Sequence, residues 1–329
     1  MSENEHKAVA EWVSYREEIR VLDCTIRDGG LMNDSKFSDD VVRGVYETCV
    51  ESGVDYMEIG YINSRDQFPP SEFGPWRHCR EEDLRRIVGD NDSDLKLAAM
   101  ADAEKSDYKV DILSADQSVL DMIRVATYIH QIPLALDMIK DAHDKGYETT
   151  LNLMAASTVP ENEIDEALVL LAKSEVGSVY VVDSFGAMYG EQVDYQMDKF
   201  LTAMAGTGKE IGIHCHNNQQ LAFANTIAAI VKGANMLDAS IAGLGRAAGN
   251  CQMELLIGFL HNPKYRLRPV LQCIEEHIEP MRSKLLWGYD YPYMITGMLN
   301  EHPRSGMAFN VSKDKGAIVK FYDDITREE

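Results

Sequence analysis

The chain has 329 residues, 45% of them hydrophobic, and a formal net charge of -22 at pH 7. That suffices for one large barrel with an appendage or for two smaller domains. The charge argues against nucleic acid or an anionic membrane as partner, because the average surface repels polyanions, and an anionic substrate would need arginines gathered locally. The cysteines at 24, 49, 79, 215, 251 and 273 include no C-x-x-C pair, and several fall in apolar segments. They read as reduced thiols of a cytoplasmic protein. No stretch approaches about 18 uninterrupted apolar residues, and residues 1–7 lead into no long apolar region, so neither membrane spanning nor secretion is expected.

Residues 8–19 place Val9, Trp12 and Val13 at helical spacing, which predicts a short segment capping one end of the fold. Strand-like runs then recur at 21–26, 55–60, 95–100, 119–125, 149–154, 178–183, 210–215 and 236–241, and most gaps between them carry helical apolar spacing. The helices 39–52, 133–145, 161–174, 193–205 and 221–232 are examples. Repeated strand-helix units imply parallel strands, and eight of them imply a closed (β/α)8 TIM barrel more readily than a doubly wound sheet. Two stretches fit badly: 104–116 is irregular, and 61–77, rich in proline and aromatics, is either a lid or plain packing over the barrel mouth. After 262 the pattern changes. Residues 1–262 are therefore assigned to the barrel and 263–329 to a small, mainly helical C-terminal extension, with a helix over 270–286, an aromatic cluster at 287–293 and a charged, frayed end from 314.

Active sites of such barrels lie at the C-terminal ends of the strands. Arg27, Asp28, Glu58, Arg124, Asn152, Asp183, Ser184, His214, His216 and the segment 242–250 all fall at or just past those ends. The run Ile211-Gly212-Ile213-His214-Cys215-His216-Asn217-Asn218 matters most. Alternation along a strand puts His214 and His216 on one face, about 7 Å apart along the backbone, with Cys215 on the other. H-x-H alone is as compatible with two structural histidines as with a metal site; Asp28, at a second strand end, tips the balance towards metal.

With these residues assembled, the chain resembles the HMG-CoA lyase-like (DRE-TIM) metallolyases from about residue 21 to 260. Asp23-x-Thr25-x-Arg27-Asp28-Gly29 resembles the family's opening signature, His214-x-His216-Asn217-Asn218 its seventh strand, and Gly243-Leu244-Gly245-x-x-x-Gly249-Asn250 its last loop. Ile123-Arg124-Val125-Ala126-Thr127 and the run 180–188 are most similar to the 4-hydroxy-2-oxovalerate aldolases within it. The resemblance implies a divalent metal, Mn²⁺ before Mg²⁺ or Zn²⁺, on Asp28, His214 and His216, with Asn250 either a fourth ligand or a hydrogen-bonding loop residue. It implies Arg27 as the group that holds developing enolate charge, and Tyr293 as an active-site tyrosine. Glu58, Arg124, Asn152 and Ser184 form the expected substrate-binding set. The chain departs from those aldolases where they carry a histidine base, since it reads Gly29-Gly30-Leu31-Met32. His130, His78, Asp34 and Tyr293 are the substitutes available as base, and Arg27, Tyr293 and His130 are the expected catalytic residues. The cysteine-bearing loop of HMG-CoA lyase is also missing, which argues against HMG-CoA as substrate.

The expected activity is a metal-dependent aldolase or lyase cleaving or forming a carbon–carbon bond in a 2-oxo acid through a pyruvate-type enolate. A Claisen-type acyl-CoA synthase and a catalytically silent metal-binding barrel are the alternatives. The extension is short for the synthase branch, which favours the aldolase. The aromatic residues Trp287, Tyr289, Tyr291 and Tyr293 are expected to pack on the barrel or on a second subunit, making a homodimer.

Overall fold

A computed structural model describes residues 16–326. Of the capping segment expected over 8–19, residues 8–15 lie outside these residues. Eight strands, β1 (Arg20–Asp23), β2 (Tyr56–Tyr61), β3 (Lys96–Asp102), β4 (Met122–Thr127), β5 (Glu148–Leu153), β6 (Ser178–Asp183), β7 (Glu210–Cys215) and β8 (Met236–Ala239), are parallel and close into a barrel in chain order. The pairing of β1 with β8, from Arg20 opposite Met236 to Asp23 opposite Ala239, completes the ring. The expected (β/α)8 barrel is the observed fold.

The strands are buried on both faces, as strands in a sheet covered by helices must be. One set of alternate residues points outward and packs with the helices in the main core, including Val21, Met57, Ile59, Leu97, Ile123, Val125, Leu151, Val179, Val181, Ile211, Ile213 and Leu237. The other set fills the lumen with Leu22, Tyr56, Ala98, Met122, Tyr180 and Met236. Gly212 is needed there, because a Cβ on it would come within 2.5 Å of the Tyr180 ring. The helix Asp39–Ser52 shows how locally the outer ring is specified. Ser38 accepts from the Val41 N–H, Asp39 and Asp40 sit in the positive first turn, and Gly53 at φ 73° ends it.

Three expectations are corrected. The first strand stops at Asp23, because the Asp23 carboxylate accepts from the N–H and hydroxyl of Thr25 and turns the chain into the helical turn Thr25–Gly29. The helix expected over 270–286 is a helix at Leu267–Cys273, a π turn at Ile274–Ile278 and a 3-10 turn at Glu279–Ser283. Pro280 lacks the N–H that a continuous α-helix would use. The charged end is a helix, Ile318–Thr326, held by Phe321, which is buried against Phe309 with ring centroids 4.7 Å apart.

The segment 61–77 is packing. Trp76 is fully buried with its indole N–H donating to the Phe37 carbonyl, and the Arg77 guanidinium lies 4.6 Å from the Tyr61 ring centroid and 4.2 Å from that of Phe68. The aromatic cluster of the extension divides: Trp287 and Tyr293 are buried, whereas Tyr289 and Tyr291 are about half exposed.

Candidate metal centre and its surroundings

At the C-terminal end of the barrel, Asp28, His214 and His216 each offer a ligand atom, all within 4.8 Å of one another, and all three side chains are buried. The strand alternation accounts for two of them: His214 and His216 share a face, ring centroids 5.1 Å apart, while Cys215 lies in the outer core. Asp28 arrives on the turn after β1. Its Oδ1 accepts from Arg27 Nη1 at 2.6 Å and its Oδ2 from the Arg246 backbone N–H at 3.0 Å. Burial alone would raise its pKa, but Arg27, then His216 and His214, hold the carboxyl far below the usual carboxylate range, so it is ionised at any physiological pH. Burial drives the His216 pKa well down, which keeps the imidazole neutral and able to donate a lone pair.

The donor atoms are also left without partners. His214 Nδ1 faces Asp238 Oδ2 at 3.0 Å, which directs Nε2 the other way, and that Nε2 is buried with no hydrogen-bond partner. His216 Nδ1 and Asn250 Oδ1 are in the same condition. Asn250 turns its amide nitrogen back towards Cys24 Sγ and Ser240 Oγ, which leaves the oxygen as the unpaired end. Buried acceptors are normally satisfied, so three orphans beside an ionised carboxylate fit a divalent cation with mixed N/O ligation. Gly245 keeps the space clear: a Cβ there would lie 2.4 Å from Asn250 Nδ2 and 2.5 Å from Asp28 Oδ2.

Behind the triad runs a charge network. Arg27 Nε donates to Glu58 Oε2 at 2.6 Å, Arg124 Nη1 lies 3.0 Å from the same oxygen, and Arg124 Nη2 donates to Asp238 Oδ2 at 2.7 Å. Arg124 also stacks on Tyr180, 4.6 Å from its centroid. Burial raises the Asp238 pKa, but Arg124 and His214 outweigh it and keep the carboxylate ionised. Glu58 and Arg124, expected to bind substrate, are fully buried in this network, beside Arg27 and Asp238, with Glu58 Oε1 and Arg124 Nε left without hydrogen-bond partners.

The remaining candidates scatter. Asn152 is buried on β5 and accepts from the Thr150 hydroxyl. The Ser184 hydroxyl accepts from the Ala155 N–H and pins the loop after β5. His130 is exposed just past β4, its ring stacked on Tyr128 at 5.9 Å. His78 bonds the Asn63 carbonyl and lines a surface cavity with Arg65 and Asp111, and Asp34 is exposed in an ion pair with Lys36. Tyr293, expected as an active-site tyrosine, is buried on the helix Tyr291–Met298 with its ring packed on Ala247 and Ala248, in the loop after β8 that carries Arg246 and Asn250. Sequence reasoning missed Asp238, Arg246 and His302. Asp238 was findable, being two residues past Met236 on the lumen face of β8; Arg246 lay unremarked inside the glycine loop; His302 had no signal.

The HMGL-like family profile matches residues 18–276. A relative named 4-hydroxy-2-oxovalerate aldolase 3, from Rhodococcus opacus, is 30% identical over 242 residues, covering 73% of this chain and 70% of its own. One named oxaloacetate decarboxylase, from Mycobacterium tuberculosis, is 31% identical over 250 residues, covering 75% and 71%. Among solved structures, the N-terminal domain of a Bacteroides vulgatus protein superposes with a TM-score of 0.76 at 26% identity, over 92% of this chain and 99% of that one.

Proposed function

The chain belongs to the HMGL-like family and is a lyase, and we propose that it cleaves a 4-hydroxy-2-oxo acid to pyruvate and an aldehyde with a divalent metal, Mn²⁺ before Mg²⁺ or Zn²⁺, at Asp28, His214, His216 and Asn250. One observation carries this reading: three orphaned, buried acceptor atoms converge beside an ionised carboxylate and an arginine. A cation held there supplies Lewis acidity to the adjacent carboxylate and keto oxygens of a 2-oxo acid.

The chain's own residues supply the rest. Arg27 is fixed through Nε and Nη1 by Glu58 and Asp28, and its Nη2 carries neither bond, so a preset cation edge is presented where negative charge develops on the keto oxygen. In the cleavage the C3–C4 bond breaks, the C4 hydroxyl gives up its proton and becomes the aldehyde carbonyl, and the bonding pair passes to C3 as the pyruvate enolate, which is then protonated. His130 is our proposed acceptor of the hydroxyl proton, since it stands in the turn Ile129–Gln131 just past β4, at the C-terminal end of the barrel, with its ring on Tyr128. Asn152, near the end of β5, and Ser184, just past β6, are our proposed contacts for the substrate.

Leu286, Tyr289 and Tyr291 remain exposed on the extension, which supports a homodimer formed through that surface. No helix among the described residues is long and apolar enough to cross a membrane, and with six free cysteines this supports a cytoplasmic setting.

Pyruvate release, coupled to lactate dehydrogenase, tests the reading across 4-hydroxy-2-oxo acids with Mn²⁺, Mg²⁺ and Zn²⁺. Chelator-treated protein should be inactive and recover with metal. Arg27→Ala should lose about a hundredfold in turnover while retaining near-stoichiometric metal. An undiminished Arg27→Ala rate would reduce Arg27 to a structural ion pair.

A further inference from the structure

Arg246 differs from the other two arginines beside the metal centre. Arg27 and Arg124 each meet two carboxylates. Among the described residues no carboxylate side chain lies within ion-pair reach of the Arg246 guanidinium, although it is largely withdrawn from water. Its Nε is buried with no hydrogen-bond partner, its Nη2 donates to the Ser184 carbonyl, and its Nη1 faces His302 Nε2 at 3.3 Å. In a chain of net charge -22, an uncompensated arginine at the barrel mouth is the local cluster that an anionic ligand needs.

His302 adds a second donor. It stands just ahead of the helix Arg304–Asn310, and its Nδ1 accepts from the Arg304 N–H at 3.1 Å. A neutral imidazole has one acceptor and one donor. With Nδ1 as acceptor, Nε2 carries the hydrogen and points it at a guanidinium that offers only donors. Protonating the ring would set two cations against each other, and burial together with Arg246 and Arg304 lowers the His302 pKa to about 4, so the neutral form prevails. The Phe185 ring walls the other side, centroid 5.8 Å from His302. Two donors thus lie in contact, 3.3 Å apart, and an anion set beside the pair satisfies both.

We propose that Arg246 and His302 form a clamp for a carboxylate at the far end of the aldehyde-derived half, so that the preferred substrate is a 4-hydroxy-2-oxo diacid. The far end is indicated by direction. The Arg246 backbone N–H bonds Asp28, at the metal centre, whereas its side chain runs to the Ser184 carbonyl and to His302 on the extension. The clamp therefore stands one arginine side chain away from the triad. The planar guanidinium suits a carboxylate, with one oxygen left for His302.

This rests on the lyase reading, and the test separates the two. Pyruvate release is compared between 4-hydroxy-2-oxopentanoate and the diacids 4-hydroxy-2-oxoglutarate and 4-hydroxy-2-oxoheptanedioate, and calorimetry on the Mn²⁺-loaded protein compares 2-oxobutyrate with 2-oxoglutarate. The expected result is a diacid preference of about tenfold or more in both kcat/KM and Kd, as for a charge-assisted contact. Arg246→Gln and His302→Ala should each erase most of that ratio, while His302→Gln, which keeps a distal N–H, should retain most of it. Equal use and binding of mono- and diacid by the wild type overturns the clamp and leaves the lyase standing. Tighter 2-oxoglutarate binding that Arg246→Gln abolishes, with no pyruvate from any compound, upholds the clamp and overturns the lyase reading. A diacid preference that survives both Arg246→Gln and His302→Ala also overturns the clamp.

Discussion

The floor of the site and its wall are built on opposite principles. The floor is carried by strands and the first turn after β1, and its ionised side chains are paired: Asp28 has Arg27, Glu58 has Arg27 and Arg124, and Asp238 has Arg124. The wall comes from the loop after β8 and from the extension, and it sets Arg246 against His302 with no acceptor between them. Buried charge is tolerable only when paired or when a ligand completes the pairing. The floor is thus a finished network with unpaired acceptors aimed at a cation, and the wall an unfinished one with donors aimed at an anion.

If the floor is a cation site, its loss should be the most severe change available. His214→Ala removes a ligand and leaves Asp238 and Arg124 to re-pair without it, so metal content should fall well below stoichiometric and turnover to background. Metal analysis by plasma emission, with the coupled pyruvate assay, checks this. Full metal occupancy in the variant would show that His214 is not a ligand.

One step back from the ligands, Asp238→Asn should act through His214. The carboxamide still reaches the ring but no longer fixes one tautomer or raises its basicity, and it removes a counter-charge from the fully buried Arg124. Partners that orient a ligand in this way are worth about 10- to 100-fold in metal affinity, and the loss should appear as a weaker Mn²⁺ Kd with restoration of turnover at high Mn²⁺. A variant that binds metal normally but turns over slowly would move Asp238 out of the orienting role.

The floor was legible in the sequence because period-two alternation fixes which side chains share a face. The same rule that placed His214 with His216 placed Cys215 outside, and it would have placed Asp238 beside Met236 had it been applied to β8. Arg27 and Asp28 were found as a pair although the expected strand end is a helical turn, since the glycine-flanked signature survives that error. The wall was not legible. His302 meets Arg246 across 56 positions of chain, and nothing local in the run 300–304 marks a histidine whose acceptor nitrogen is consumed by its own backbone. Tyr293 was legible only as a position, since a shared place along the chain says where a residue sits on a helix and not which way its hydroxyl is drawn.

Tyr293 also yields the smallest expected effect and separates wall from floor most cleanly. The Tyr293 ring packs on Ala247 and Ala248, in the same loop that positions Arg246 and Asn250, and the helix Arg304–Asn310 lies so close that a Cβ on Gly306 would touch the ring at 3.1 Å. Tyr293→Phe keeps that packing and removes only the hydroxyl. A loss of no more than about 1 kcal/mol in unfolding free energy is expected, the usual worth of one hydrogen bond, with turnover within about threefold of wild type. Tyr293→Ala, by contrast, would open a cavity beneath the loop, at a cost of about 3 to 5 kcal/mol typical of deleting a large aromatic. Urea denaturation and the coupled assay on both variants decide the matter. A Tyr293→Phe enzyme of full stability and hundredfold slower turnover would return the hydroxyl to the reacting atoms and make the extension part of the floor.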